Sequence, residues 1–296
     1  MVFVRRPHFA WQLRTRSLAL GERTLVMGIL NVTPDSFSDG GDFLAPQAAV
    51  EHALSMIEQG ADLIDIGGES TRPGSAQPLS SQREQDRVLP VIEGILRERP
   101  TSVLSIDTYK AETARAALAA GCEIVNDVSG FSWDPAMPGA CAGLHCGVIL
   151  MHTRGRPNEW RTQPHLAQED VVPLVKSGLA QSLDQALVAG IERSRIVLDP
   201  GYGFGKAFDN NYPLLAHQDA LLTLGQPLLA GVSRKSFLGR TLAIPGAPDA
   251  PPNARGNATV AATTAAILAG ASVVRVHDVR AAVEAARIAD AIVTAL

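Results

Sequence analysis

One pattern recurs through this chain and restricts its fold more than any other feature: a short, nearly continuous apolar run, a polar cluster, then a helical stretch. The runs are TLVMGILNV (24–32), ADLIDIGG (61–68), SVLSIDT (102–108), EIVNDVSG (123–130), CGVILMH (146–152), RIVLDPG (195–201), PLLAGVS (227–233) and ASVVRVHDV (271–279), eight in all. Strands so apolar along their length require cover on both faces, as in a parallel sheet. Between them the chain reads as helix. Val50, Leu54 and Ile57 fall at i, i+4 and i+7, and Gly60 closes that segment. KAETARAALAAG and GNATVAATTAAILAG repeat the design, ended by Gly121 and Gly270. Eight such units predict an α/β fold of one kind, a (β/α)8 TIM barrel. A doubly wound open sheet is the competitor, but it rarely needs eight units of this regularity.

No break in composition marks a second domain, so residues 24–296 are read as a single barrel. Residues 1–23 stand outside the repeat as an N-terminal extension, in which FAWQL and SLAL suit a short hairpin closing the barrel's bottom. The polar stretches 72–82, 153–168 and 240–256 are loops after the second, fifth and seventh strands, the last rich in proline. A chain of 296 residues with 46% hydrophobic content can build one large core. Its net charge of −4 gives no footprint for nucleic acid. No segment has the run of roughly eighteen apolar residues that spans a membrane, and no apolar stretch follows the basic N-terminus to make a secretory signal. Cys122, Cys141 and Cys146 are odd in number and lack metal-type spacing, which suggests reduced, buried thiols in a cytoplasmic protein.

In such a barrel the chemistry sits at the C-terminal ends of the strands. The ends present Asn31, then Glu69-Ser70-Thr71-Arg72, Asp107, Asn126-Asp127, His152, Asp199, Ser233-Arg234-Lys235 and Arg275 with His277. Arg275 and His277 are two apart, so they share a strand face. Any one of these has an ordinary explanation: an Asp before a turn is commonly an Asx turn or a helix cap. Polar groups at all eight ends together exceed what capping needs. Asp107, Asn126, Asp199 and Lys235 mix donors and acceptors, as the edge of a planar nitrogen heterocycle requires. Arg72, Arg275, His277 and Asn31 form an anion half, where Asn31 could offer an amide oxygen to Mg2+. GYGFGK (201–206) fits neither the GxGxxG nor the GxxxxGK spacing and reads as a mobile or tightly folded loop offering Phe204.

MGILNVTPDSFSDGG, ADLIDIGGESTRPG, SIDTYKAETARAALAAG, IVNDVSG, LDPGYGFGK, GVSRKSFLG and RVHDV, in this order, resemble the dihydropteroate synthase family. The resemblance runs from the first strand to the C-terminus. It implies condensation of 6-hydroxymethyl-7,8-dihydropterin diphosphate with 4-aminobenzoate, in folate biosynthesis, with sulfonamides competing for the aminobenzoate site. It further implies that Asp107, Asn126, Asp199 and Lys235 hold the pterin. Thr71, Arg72, Arg275 and His277 would serve substrate and diphosphate, and Asn31 would bind Mg2+. Ser233, Arg234, Phe204 and Pro73 would line the aminobenzoate pocket. Thr33, Pro34, Asp35, Phe37 and Ser38 would join them when the NVTPDSFSDGG segment closes as a lid. The family is usually homodimeric. Its pattern more often has Phe at Tyr202 and Thr at Ala207. Three other readings compete: a pterin-dependent methyl-transfer barrel, a Schiff-base aldolase using Lys235, and a pterin-binding barrel without activity.

Overall fold

The computed structural model describes residues 3–33, 44–70 and 79–296. The chain opens with an antiparallel hairpin of β1 (Phe9–Gln12) and β2 (Ser17–Leu20), in register Phe9 to Leu20 and Gln12 to Ser17. Eight parallel strands then close into a barrel among the described residues. They are β3 (Leu25–Asn31), β4 (Leu63–Gly67), β5 (Val103–Asp107), β6 (Ile124–Asp127), β7 (Gly147–Met151), β8 (Ile196–Asp199), β9 (Leu228–Ala230) and β10 (Ala271–Val276). β10 pairs with β3 to shut the cylinder.

Helices follow the strands: α1 (Leu44–Glu58), α2 (Ser81–Glu98), α3 (Ala111–Ala119), α4 (Met137–Leu144), α5 (Val171–Val188), α6 (Asn211–Ala216), α7 (Ser236–Thr241), α8 (Gly256–Leu268) and α9 (Val279–Thr294). α2 begins where Ser80 accepts a hydrogen bond from the Arg83 N–H, at 3.3 Å. It buries Val88, Val91, Ile92 and Ile95, an i, i+3, i+4, i+7 stripe. The regular alternation thins after β8 and β9, where α6 and α7 have six residues each. No described helix is long and apolar enough to cross a membrane. The three cysteines are free and buried.

Two apolar clusters explain why the strands read as continuous hydrophobic runs. Outward residues such as Ile64, Ile66, Leu104, Ile106, Val148 and Leu150 pack under the helices. Inward residues at the start of each strand, from Leu25 and Leu63 round to Leu229 and Val273, form a second cluster inside the barrel. Trp11, Leu13 and Leu20 of the hairpin belong to that second cluster, so the extension plugs the bottom. The Trp11 indole N–H finds the Arg195 carbonyl at 2.9 Å, which satisfies its one donor.

Candidate active site

Alternate residues of a strand face the same way, so the inward series can be followed upward from the plug. On β4 it runs Leu63, Asp65, Gly67; on β5, Val103, Ser105, Asp107; on β10, Val273 and Arg275. The interior therefore turns from apolar to charged within one layer. Arg275 lies at its centre. Its Nε donates to Asp65 Oδ2 and its Nη2 to Asp107 Oδ2, both at 2.6 Å. Asp65 Oδ2 also accepts from Asn126 Nδ2 at 2.9 Å. Side chains from β4, β5, β6 and β10 are thereby joined across the barrel.

Asp65 and Asn126 are buried and Asp107 and Arg275 largely so, and burial shifts the titratable groups of this layer. Burial pushes the Asp107 carboxyl up to about 7, against the attraction of Arg275 and with help from the nearby Asp65 charge. Asp199 is also raised by burial, opposed by the Gly201 N–H and by Lys235. Burial works against the Arg275 cation, but Asp65 and Asp107 outweigh it and hold the guanidinium firmly charged. Beside the acids the wall carries no side chain. A Cβ on Gly67 would lie 3.5 Å from that of Asp107, and one on Gly231 3.9 Å from Asp199 Oδ2. Glycine at these two inward positions leaves room for a flat ligand next to the carboxylates.

The loops after β8 and β9 supply the rest. Asp199 Oδ1 accepts the Gly201 N–H at 2.7 Å. Lys235 places its ammonium 3.9 Å from the centre of the Phe204 ring, a cation–π contact. Ser233 Oγ accepts the main-chain N–H of His277 at 3.2 Å and lies 2.9 Å from His277 Nδ1. When the Ser233 hydroxyl donates its hydrogen bond to Nδ1, the neutral imidazole carries its one proton on Nε2. Burial, followed by Arg234, Arg275 and Lys235, pushes His277 down to about 3, so the ring is neutral. Arg234 adopts a left-handed φ of 55°, its N–H bonded to Thr259 Oγ1 at 3.0 Å and its guanidinium to Asp278 at 2.7 Å. A non-glycine residue in this region is held there by its surroundings.

Asp107, Asn126, Asp199, Lys235, Arg275, His277, Ser233, Arg234 and Phe204 all lie at this mouth, and Asn31 and Thr33 end or follow β3 at the same rim. Thr71, Arg72, Pro73, Pro34, Asp35, Phe37 and Ser38, and with them the lid, lie outside the described residues. Three strand-end groups do not join. His152 packs outside the barrel, its ring where a Cβ on Gly178 of α5 would stand, with Nδ1 unbonded and its pKa pushed down to about 2 by burial. Thus the expectation that every strand sends a polar group to the rim fails at β7. Asp127 accepts from Ser129 and the Phe131 N–H, an Asx turn. Glu69 pairs with Lys110, which also binds the buried Glu84 at 2.9 Å. GYGFGK is tightly folded, with Tyr202 fully buried and Lys206 buried beneath it. Asp65 and Lys206 escaped the search of strand ends. The signal for Asp65 was a lone acid inside the apolar run LIDIG.

Residues 27–277 match the model of the pterin binding enzyme family. The chain is 42% identical over 275 residues to the dihydropteroate synthase of Bacillus subtilis (strain 168), covering 93% of this chain and 90% of that one. The chain belongs to the dihydropteroate synthase family. A second member, from Mycobacterium leprae (strain TN), is 44% identical over 268 residues, 90% of this chain and 92% of its own. Among solved structures, the Xanthomonas albilineans dihydropteroate synthase with 4-aminobenzoic acid superposes with a TM-score of 0.85 at 43% identity, covering 96% and 98% of the two chains. The barrel is thus shared with that dihydropteroate synthase structure over nearly the whole of both chains.

Proposed function

We infer that the chain condenses 6-hydroxymethyl-7,8-dihydropterin diphosphate with 4-aminobenzoate, giving 7,8-dihydropteroate and diphosphate. The observation that carries this reading is the convergence of Asp107, Asn126 and Asp199 inside one barrel mouth beside Lys235, in a chain of this family. The pterin edge offers N–H donors and ring acceptors. Ionised Asp107 and Asp199 accept from such donors, Asn126 can do either, and Lys235 donates. Gly67 and Gly231 leave space for the flat ring.

Cleavage of the pterin methylene C–O bond leaves positive charge on the pterin and negative charge on the departing diphosphate. The Asp carboxylates favour the first and fixed donors favour the second. Arg275 uses two of its N–H groups on Asp65 and Asp107 and keeps others for a diphosphate oxygen. With the Ser233 hydroxyl donating to Nδ1, His277 serves there as a neutral Nε2–H donor rather than a cation. The neutral arylamine then attacks the methylene carbon and loses its proton, so no strong general base is required.

Asn31 ends β3 opposite Gly67 and brings one neutral amide oxygen, while no cluster of three acidic, His or Cys ligands occurs among the described residues. That donor set fits Mg2+, which takes few protein ligands and completes its shell with phosphate oxygens and water. Bound there it would neutralise diphosphate charge. Exposed Ile288 and Ile292, one turn apart on α9, support a homodimer, to be checked by sedimentation. The buried free thiols support a reducing, cytoplasmic setting. The deciding experiment measures diphosphate release from the pterin substrate with and without 4-aminobenzoate, and dihydropteroate by mass. Lys235→Ala and Asp199→Ala are expected to lose pterin binding, and Arg275→Ala to weaken diphosphate binding and turnover. Wild-type turnover in these variants would remove the residue assignments, and absence of product from the native chain would remove the function.

A further inference from the structure

Lys206 is a buried cation that the reaction as described leaves without a task. It closes the GYGFGK segment after β8. Its ammonium donates to three main-chain carbonyls: Gly201 at 2.7 Å, His152 at 3.2 Å and Phe204 at 3.3 Å. An ammonium taken from water is strongly unfavourable unless its protons are bonded. Burial pushes its pKa down to about 7, with the Asp199 charge acting in the opposite sense. An apolar side chain of similar length would fill the space without that cost, so the question is what the three bonds hold.

They hold a turn that touches the site twice. Gly201, Gly203 and Gly205 take left-handed φ values of 68°, 81° and 69°, so the chain doubles back on itself. A Cβ on Gly201 would stand 2.0 Å from the His152 carbonyl oxygen, which shows how tightly the turn lies on the end of β7. The residue whose carbonyl Lys206 binds most closely, Gly201, is also the one whose N–H holds Asp199 Oδ1 at 2.7 Å. Another, Phe204, sets its ring 3.9 Å from the Lys235 ammonium and packs edge-on against Trp160 at 5.3 Å between centroids. The third carbonyl, of His152, belongs to the barrel rim. One ammonium therefore links the rim to both residues of the loop that orient charged groups at the mouth.

We propose that Lys206 is a positioning residue for the pterin site, tying the 201–204 turn to the end of β7 and so setting the Asp199 carboxylate and the Lys235 ammonium in register with each other. The proposal rests on the assignment of that mouth to the pterin. It is tested by calorimetric titration of the native chain, Lys206→Met, Phe204→Leu and the double variant with pteroic acid. Lys206→Met is expected to bind about tenfold more weakly or worse than the native chain. In the Phe204→Leu background the same substitution should cost about threefold, because the route through the ring to Lys235 is gone while the route through Gly201 to Asp199 remains, and coupled residues do not act additively. Should Lys206→Met fail to fold, Lys206→Gln is read in the same two backgrounds. Native affinity in the Lys206 variant, or an equal loss in both backgrounds, overturns the proposal while leaving the pterin assignment intact. No binding of pteroic acid by the native chain overturns both.

Discussion

Replacing Asp65 by Asn tests the electrostatics of the barrel's charged layer with almost no change of shape. Asn keeps an oxygen for Arg275 Nε and Asn126 Nδ2, which Asp65 Oδ2 accepts at 2.6 and 2.9 Å. What leaves is one negative charge close to Asp107, which shares the same guanidinium. Two charges held on one guanidinium stand on the order of 6 Å apart, worth about 3 kcal/mol at an effective dielectric of about 20, or about 2 pK units. Relaxation of the site reduces this, so a fall of about 1 to 2 units is expected for Asp107. Its direction is fixed by cause: Asp65 is among the groups that raise Asp107, and Arg275, with one acid fewer to serve, lowers it further. A carboxyl raised to about 7 is ionised above that pH and protonated below it. Turnover that needs the carboxylate thus falls as pH drops through 7 in the native chain. The assay is kcat/KM for the pterin substrate against pH, which reports groups of the free enzyme. In Asp65→Asn the acid limb should move down, to about pH 5 to 6. A limb that stays put, or moves up, refutes the account of this layer.

Three further outcomes follow from particular contacts. Trp11→Ala empties the plug at the barrel's bottom, where Trp11 is 1% exposed. It should cost about 3 to 5 kcal/mol in denaturant unfolding while leaving the KM of the folded enzyme unchanged. Gly67→Ala puts a methyl 3.5 Å from the Asp107 Cβ, an ordinary contact within the protein, but one that narrows the mouth. Calorimetry should show pterin binding weakened about tenfold with a melting temperature close to native, since only the ligand's space is taken. Asn31→Ala should raise the Mg2+ concentration for half-maximal turnover about tenfold, and an unchanged Mg2+ dependence would sink the metal assignment.

The barrel was legible because its strands are covered twice over, inside by the plug and outside by helices, and that double cover is written as unbroken apolar runs such as VILM in β7. The candidate site was legible less completely, for a reason of parity. A strand's last two residues face opposite ways, so position at the end does not tell whether a side chain enters the mouth. Asn126 points in and bonds Asp65, while its neighbour Asp127 turns away to cap Ser129 and Phe131. Met151 takes the inward parity on β7, which leaves His152 to the helix layer. Counting by twos from the plug residues would have sorted these pairs: Ile124 to Asn126, Ile149 to Met151, Val197 to Asp199. The same count from Leu63 reaches Asp65 before Gly67 and would have found the acid that a search of strand ends passes over.

Asp65 also shows why the charged layer sits where it does. A buried Arg beside acids is favourable only when its donors and their oxygens are matched, since the desolvation of each ion is large. Arg275 meets that condition by spanning the barrel to two carboxylates at equal distances of 2.6 Å. Below it, the plug excludes water and raises the strength of every charge interaction above. Because the guanidinium is fixed from one side by these bonds, its remaining donors are held in a set direction, an arrangement suited to an anion formed at the mouth because it needs no reorganisation. The apolar floor, the paired ions and the glycine-lined wall thus act in sequence: the floor dries the layer, the layer holds Arg275, and the wall leaves the space in which that held charge can meet a substrate.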